Sequence, residues 1–217
     1  MAVILAATSA FRDRGYERAT TAEVAQQAKV SEATIFNHFG SKSGLLLEVM
    51  QSYYKNALID LEEAIRGQGG PEEQLRVMVR YWMIRVVEDW SLARVFSQHG
   101  RFSEDPELVK AYRELSRGLT GRVLAVLQDL RTQGKIREEL PLSLLRDVIF
   151  GTGEHMALGA AIRPKSVTEL ERAAEQIVDI ILLGSKPSPG QKASLSSIDE
   201  KLNRLLEQLP PEKLGSI

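Results

Sequence analysis

The sequence contains no cysteine, which excludes disulfide bonds, thiolate metal sites and cysteine nucleophiles. Histidine is scarce as well. His38, His99 and His155 are widely dispersed, and neither a His-x-x-x-His motif nor a carboxylate-rich loop accompanies them. The sequence therefore predicts no metal site and no cofactor, and its lack of thiols is compatible with a reducing cytoplasm.

Long apolar runs are also absent. No stretch approaches the roughly 20 residues that a membrane helix needs. The apolar N-terminus reaches Arg12, Asp13 and Arg14 before any signal-peptide length, and it has no basic n-region. With 43% hydrophobic and 26% charged residues, the chain has the composition of one or two compact globular domains. We expect a cytoplasmic protein that does not engage a membrane.

Strand patterns and catalytic motifs are missing too. No segment alternates with period two, whereas apolar residues recur at helical spacing along most of the chain, so the predicted fold is all-α. Adjacent acidic pairs such as Glu62 and Glu63 would lie on different helix faces. Gly151 and Gly153 follow a helical pattern rather than a strand, which argues against a phosphate-binding loop. The sequence therefore does not predict an enzyme.

The most informative stretch is residues 20–42, which predicts two short helices joined by a tight turn. Thr20 or Thr21 would cap the first helix and Ser31 the second, in which Ile35 and Phe39 have the spacing of buried residues. Its other faces carry mostly small or hydrogen-bonding residues. This arrangement is typical of a helix-turn-helix, whose second helix enters the DNA major groove. The same spacing fits an ordinary buried helical hairpin.

Start and stop signals place the remaining helices. A first helix is expected from Ala2 to Arg14, where Gly15 ends it, and a short segment from Ser91 to about Phe102. Other helix starts are predicted at Ser41, Pro71, Asp105, Pro141 and Ser166. Residues 185–196 read as a linker, and a capping box at Ser197 begins a short amphipathic helix. We therefore divide the chain into residues 1–42, 43–184 and 185–217.

The N-terminal residues resemble, in order and spacing, the N-terminal domain of the TetR family of bacterial transcriptional regulators. The matching residues are Val3 to Ala7, Phe11, Gly15-Tyr16, Thr20-Thr21, Val24-Ala25, Val30-Ser31, Thr34 to Phe36, His38-Phe39 and Ser41-Lys42. The resemblance implies an N-terminal three-helix helix-turn-helix domain followed by a helical ligand-binding and dimerisation domain. It also implies a homodimeric repressor that a small-molecule effector releases from a palindromic operator.

The same resemblance assigns the DNA contacts. It gives Thr20, Thr21, Ser31, Thr34, His38 and Lys42 to phosphates and Glu32, Ala33 and Asn37 to base edges, with Thr34 and Phe36 able to touch either. Lys29 stands where a turn glycine is usual. Phe36 replaces a usual tyrosine and so lacks a phosphate-binding hydroxyl. His38 has an alternative role in bracing the end of its helix.

The charge balance offers a rival interpretation. The net charge is −1, and the first 50 residues contain as many acidic as basic side chains. DNA affinity would then depend on a few phosphate contacts, on helix N-termini and on dimerisation. The neutral charge also suits an alternative, a helical protein-interaction module that does not bind DNA.

The second half suggests a partner chain and an effector. In the family, the last two large helices form a four-helix dimer interface, and here they would span about 141–160 and 166–183. Residues 92–95, 107–119 and 123–151 are similar to the ligand domain of fatty-acid-metabolism repressors of the family, which respond to long-chain acyl-CoA. This similarity implies acyl-CoA or another apolar effector, with Arg94, Arg101 or Arg146 at its head group unless these form surface salt bridges. The predicted cavity lining, which plain core packing would equally explain, is Trp82, Trp90, Arg94, Phe96, Tyr112, Phe150 and Met156.

Overall fold

The computed structural model describes residues 1–186, and all regular structure in that part of the chain is helical. The prediction of an all-α fold is confirmed. The N-terminal helices are α1 (Ala2–Arg18), α2 (Thr21–Ala28), α3 (Glu32–Phe39) and α4 (Lys42–Ile65). They are followed by α5 (Pro71–Glu88), α6 (Trp90–Phe96), a π-helical turn (Ser97–Arg101), α7 (Pro106–Thr132), α8 (Leu142–Ile162) and α9 (Val167–Ser185). The predicted C-terminal linker and amphipathic helix lie outside the described residues, apart from Ser185, which ends α9, and Lys186, which follows it.

Side-chain caps begin most of these helices where the sequence predicts them. Thr20 and Ser166 form capping boxes with Glu23 and Glu169, respectively. Ser31 accepts a hydrogen bond from the Thr34 backbone amide, and Ser41 accepts one from Gly44. Each cap satisfies a backbone amide that the first helical turn leaves without a partner. The start of each of these capped helices is thus fixed by local chemistry.

Two predicted helix limits need correction. Gly15 interrupts α1 with φ 77° and ψ 165°, as a stop signal should, but a further helical turn continues to Arg18. The segment predicted from Ser91 to Phe102 begins at Trp90 and widens into the π-helical turn after Phe96. At Gly100 in this turn, a Cβ atom would lie 3.0 Å from both Met50 Cε and Tyr112 Cδ2. Glycine therefore lets the turn approach α4 and α7 closely.

Two buried clusters divide the described part of the chain. The N-terminal cluster joins α1, α2 and α3 to the start of α4 and to α6. The second cluster is formed by α4, α5, α7, α8 and α9. Helix α4 contributes to both, and Tyr54 at its centre packs against each of them. The orientation of the first three helices is therefore set by α4 and α6, which connect them with the larger bundle.

Candidate functional site

Helix α3 is attached to the protein along one narrow face. Ile35 is its one fully buried side chain, with an exposed fraction of 0%, and Phe39 is half-buried. Ser31 caps the helix at its N-terminus. Most of the side chains predicted to meet DNA from this helix are exposed: Glu32, Ala33, Phe36, Asn37 and His38. The N-terminal half of α3 is therefore free to enter a groove.

The turn before α3 keeps its geometry despite lacking the expected glycine. Lys29 adopts φ 56° and ψ 43°, in the left-handed region, and its amide donates to the carbonyl oxygens of Ala25 and Gln26. For a residue with a Cβ atom this conformation costs about 1 to 2 kcal/mol. The fold imposes the conformation that glycine would adopt most easily, so the substitution leaves the angle between α2 and α3 intact.

Hydrogen bonds link the side chains predicted to contact DNA to one another and to the scaffold. Thr21 Oγ1 donates to Glu32 Oε1 at 2.5 Å, and the Ser31 and Thr34 hydroxyls lie 2.8 Å apart. His38 Nδ1 donates to the Thr34 carbonyl oxygen at 2.9 Å, which is the bracing role considered as its alternative. The Thr21–Glu32 bond joins α2 to α3. The other two contacts order the exposed face of α3 in the absence of a partner.

Lys42 makes a contact that the sequence does not predict. Its Nζ donates to the Glu17 carbonyl oxygen at 3.2 Å and lies 4.4 Å from the centre of the Tyr16 ring. The start of α4 is thereby joined to the end of α1. For Lys42 to reach a phosphate, it must exchange these two contacts for the phosphate oxygen.

Two further contacts connect α1 with the region around α6. Arg12 donates to Asp89 at 2.8 Å, at the junction of α5 and α6. At the other end of α6, the His99 ring lies 4.5 Å from the Tyr16 ring, and its Nδ1 is 3.7 Å from Glu17 Oε1. These pairs are more than 70 residues apart in the chain, so no local pattern predicts them. They hold α1 against α6 and the π-helical turn.

A cavity of about 450 Å³, called the first cavity, opens between α4, α5, α7, α8 and the π-helical turn. Three of the predicted lining residues, Trp82, Tyr112 and Phe150, border it. Arg101 and Arg146, predicted at the head of an effector, border it as well. Tyr54, Arg113, Arg117, Thr120 and Glu154 are lining residues that the sequence does not single out.

The first cavity has an excess of positive charge. Four arginines line it, against the carboxylates of Asp147 and Glu154. Arg146 pairs with Asp147 at 2.7 Å, and Arg101 lies 3.9 Å from Glu154. The other two, Arg113 and Arg117, have no carboxylate partner among residues 1–186. Two guanidinium groups thus remain to bind an anionic ligand.

A smaller cavity of about 170 Å³, the second cavity, lies beside the first. It is bordered by the predicted residues Trp90, Arg94 and Phe96. Met156 borders neither of these two cavities; like Trp82 and Phe150, it is partly buried and packs against the second cluster. At about 100° per residue, Glu154 shares a face of α8 with Phe150, whereas Met156 points away from that face.

Tyrosines from α4 and α7 line the two cavities. Burial raises the pKa of Tyr53 to about 12, although the nearby Arg85 guanidinium opposes the shift. Burial likewise raises the pKa of Tyr54 and of Tyr112. These side chains therefore stay neutral over the physiological pH range, and the arginines provide the charge. Sequence reasoning missed Tyr54 because its neighbour Tyr53 fits the apolar stripe of α4.

The outer face of α8 and α9 is unusually apolar. Exposed side chains on these helices include Leu144, Val148, Leu158, Ile162, Val167, Ile180 and Leu183. The predicted interface stripe divides here, because Ile181 and Leu182 are buried internally while Ile180 is 69% exposed. The two helices thus have one face in the bundle and another available to a partner.

Two kinds of feature are absent from the described residues. No helix within residues 1–186 is long and apolar enough to cross a membrane. In the same part of the chain, no three His, Asp or Glu side chains are grouped so that they could hold a metal ion.

Comparison with known proteins gives a family match at the N-terminus. Residues 3–49 match the family described as bacterial regulatory proteins, tetR family. The fatty acid metabolism regulator protein of Bacillus subtilis is 27% identical over 152 residues, covering 70% of this chain and 78% of that protein. The transcriptional activator FasR of Mycolicibacterium smegmatis is 35% identical over 77 residues, 36% of this chain and 35% of that protein.

Solved structures extend the likeness to most of the described chain. A FadR from Bacillus subtilis, solved in complex with stearoyl-CoA, has a TM-score of 0.72 at 23% identity and covers 84% of this chain and 97% of its own. A fatty acid degradation regulator FadR from Bacillus halodurans has a TM-score of 0.71 at 22% identity, with coverages of 83% and 96%. At such identities the likeness establishes the fold alone, an N-terminal helix-turn-helix domain followed by a larger helical domain.

Proposed function

We propose, on the premise that this chain is a TetR-family transcriptional regulator, that it is a homodimeric repressor whose effector has an anionic head and an apolar, acyl-type tail. Its relatives are DNA-binding regulators and not enzymes. In this proposal, the effector releases the protein from a palindromic operator. Access to that operator requires the protein to work in the cytoplasm.

The DNA-binding part of the proposal rests on the exposed position of α3. Ile35 anchors the helix, while Asn37 and Glu32 extend from exposed positions. Asparagine can make a bidentate contact with adenine, and glutamate can accept a hydrogen bond from cytosine N4. The hydroxyls of Thr20, Thr21, Ser31 and Thr34 and the ammonium of Lys42 would bind phosphates. We assign base reading to Glu32, Ala33 and Asn37 on this basis.

Dimerisation would use the apolar outer face of α8 and α9. Several exposed apolar side chains close together on two adjacent helices mark an interaction site. Members of the family act as dimers, and a second copy of this chain is the partner we propose. Two α3 helices about 34 to 36 Å apart would read the two half-sites of a palindrome. Dimerisation also offsets the lack of net positive charge in each N-terminal region.

The first cavity would bind the effector. Its volume of about 450 Å³ lies within the range of roughly 300 to 1,000 Å³ typical of small-molecule sites. Arg113 and Arg117 would bind an anionic head, such as the phosphates of a coenzyme A thioester. Phe150 and Leu119 would surround the start of the tail, and Trp82 would lie further along it. The solved complex of the Bacillus subtilis protein with stearoyl-CoA supports this effector class.

The effector would act by shifting a conformational equilibrium. Arg101 borders the first cavity, and the same π-helical turn carries His99, which contacts Tyr16 of α1. A ligand that draws Arg101 away from Glu154 would move this turn and, with it, α1 and the start of α4. The size of the response is limited by the difference in ligand affinity between the two states.

Selection of DNA fragments from a genomic library at several salt concentrations tests the proposal. We expect palindromic sites whose affinity falls as salt rises, because binding releases counterions from the phosphates. Long-chain acyl-CoA should lower the affinity for the selected site, whereas coenzyme A alone should have little effect. If no site is selected at low salt, the protein-interaction module becomes the better interpretation. Tighter DNA binding with the thioester present would instead indicate an activator, as FasR is named.

A further inference from the structure

The two cavities share a wall. Tyr54, Trp82, Tyr112, Leu119 and Glu154 border both of them. At about 170 Å³, the second cavity is smaller than the roughly 300 Å³ at which typical ligand sites begin. It is therefore better understood as an extension of the first cavity that the shared wall closes off.

Trp82 differs from the other members of this wall. The hydroxyls of Tyr54 and Tyr112 interact with each other, and Glu154 faces Arg101. Leu119 is part of the buried core. The indole N–H of Trp82, in contrast, is buried and has no hydrogen-bond acceptor among the described residues. Turning this side chain therefore breaks no hydrogen bond, which makes it the wall member with the least polar restraint.

Packing against α8 sets the present position of the indole. The Trp82 and Phe150 rings lie 4.9 Å apart in an edge-to-face arrangement. A Cβ atom at Gly153 would lie 2.9 Å from Trp82 Cδ1 and would overlap Nε1. The indole thus occupies space that exists only because residue 153 is glycine.

We infer that Trp82 is a movable partition between the two cavities and sets the length of apolar chain that the effector can bury. This rests on the proposed function, in which the first cavity holds the head and the beginning of the tail. A short tail ends at the indole. A longer tail enters the second cavity once the indole turns aside, and it then contacts Trp90 and Phe96.

The partition predicts a break in the dependence of affinity on chain length. Burying one more methylene strengthens binding by a factor of about 4. For a series of saturated thioesters from octanoyl-CoA to stearoyl-CoA, affinity should rise by this factor per methylene until the tail reaches Trp82. There the rise should stall, because part of the binding energy moves the indole, and then resume. Titration calorimetry measures the profile.

Two substitutions should abolish or shift this break in the chain-length profile. Trp82→Ala removes the partition, so affinity should rise through the whole series without stalling. Gly153→Ala displaces the indole by its new Cβ atom and keeps the tryptophan, which covers the case in which Trp82→Ala fails to fold. Gly121→Ala, on α7, is the control, because a Cβ atom at this position would have no neighbouring atom within 4 Å. Its profile should coincide with that of the unaltered protein.

Fluorine NMR of protein labelled with 5-fluorotryptophan observes the indole directly. The chain has two tryptophans, so two resonances are expected, and Trp82→Phe identifies one of them. Thioesters shorter than the break should leave the Trp82 resonance nearly unchanged, and longer ones should shift it.

Measuring the release of operator DNA together with thioester binding separates the proposed partition from the proposed function. A break that is lost in Trp82→Ala and altered in Gly153→Ala supports the partition even if no thioester releases DNA, in which case the proposed function fails. Release of DNA with identical profiles in all variants overturns the partition and leaves the proposed function standing. If no thioester of any length binds, both are overturned.

Discussion

Positive charge is distributed differently in the N-terminal region and in the first cavity. The first 50 residues, which include the proposed DNA-reading helix, contain five basic and five acidic side chains. The first cavity alone is lined by four arginines and two carboxylates. The region proposed to meet a long polyanion is thus nearly neutral, whereas the region proposed to meet a small anion is positive.

This difference indicates how each ligand would be held. A small effector can make only a few contacts, so strong local charge inside a partly enclosed cavity provides much of its affinity. DNA can be bound at many points, by helix N-termini, hydroxyls and two copies of the chain together. Because the DNA contacts are individually weak, the spacing of the two reading helices would matter greatly, and a small displacement of α1 and α4 would be enough to release the operator.

The largest effect should come from removing the anchor of α3. Ile35→Ala creates a cavity in the N-terminal cluster and should lower the free energy of unfolding by about 2 to 5 kcal/mol. We expect DNA binding to be lost while thioester binding survives, because Ile35 lies outside the second cluster. Thermal unfolding and calorimetry provide the measurements. Ile149→Ala in the second cluster is the matched change and should impair thioester binding first. Simultaneous loss of both activities in both variants would mean that the two regions do not act separately.

Removing a cavity arginine should weaken the effector and spare the DNA. Arg117→Ala deletes a guanidinium that has no carboxylate partner among the described residues, and a hydrogen bond to a charged group is worth about 1.5 to 3 kcal/mol. Thioester affinity should therefore fall about tenfold or more. Arg122→Ala, also on α7 but paired with Glu62 away from the cavity, serves as control. Equal losses in the two variants would contradict a specific head-group site.

Substitutions at the reading face should separate base contacts from phosphate contacts. Asn37→Ala should cost about 1 to 3 kcal/mol and relax the preference at one base position. Lys42→Ala should weaken all operator variants alike and reduce the salt dependence by about one phosphate contact, while also freeing the end of α1 from α4. Binding to a panel of single-base operator variants tests both. The assignment fails if the two substitutions produce the same pattern across the panel.

The smallest effect on stability should come from the ion pair that joins α1 to the α5–α6 junction. Arg12 is 44% exposed and pairs with Asp89, so Arg12→Ala should change the free energy of unfolding by less than about 1 kcal/mol. It should nevertheless alter the thioester concentration that releases DNA, because the pair lies between the two regions. Arg14→Ala, whose partner Glu23 is in the N-terminal region, is the control. An unchanged release concentration for Arg12→Ala would exclude this pair from the coupling.

Much of the reading hairpin could be predicted from the sequence because its determinants are close together. The caps at Thr20, Ser31 and Ser41 each act within three residues, and the buried position of Ile35 follows from helical spacing. Lys29 shows where this reasoning ends. A residue with a Cβ atom disfavours the left-handed conformation, yet the packing of α2 and α3 in the N-terminal cluster imposes it on Lys29.

By itself, the sequence determined an all-helical chain, the start of most helices and the family to which its N-terminus is similar. Short-range hydrogen bonds and helical periodicity depend on residues that are close together in the chain, so they can be predicted from the sequence. Only the tertiary structure decided that Arg113 and Arg117 border a cavity and that Trp82 fills the space left by Gly153. These facts depend on how helices distant in sequence rotate and pack against one another, and no local pattern specifies those rotations.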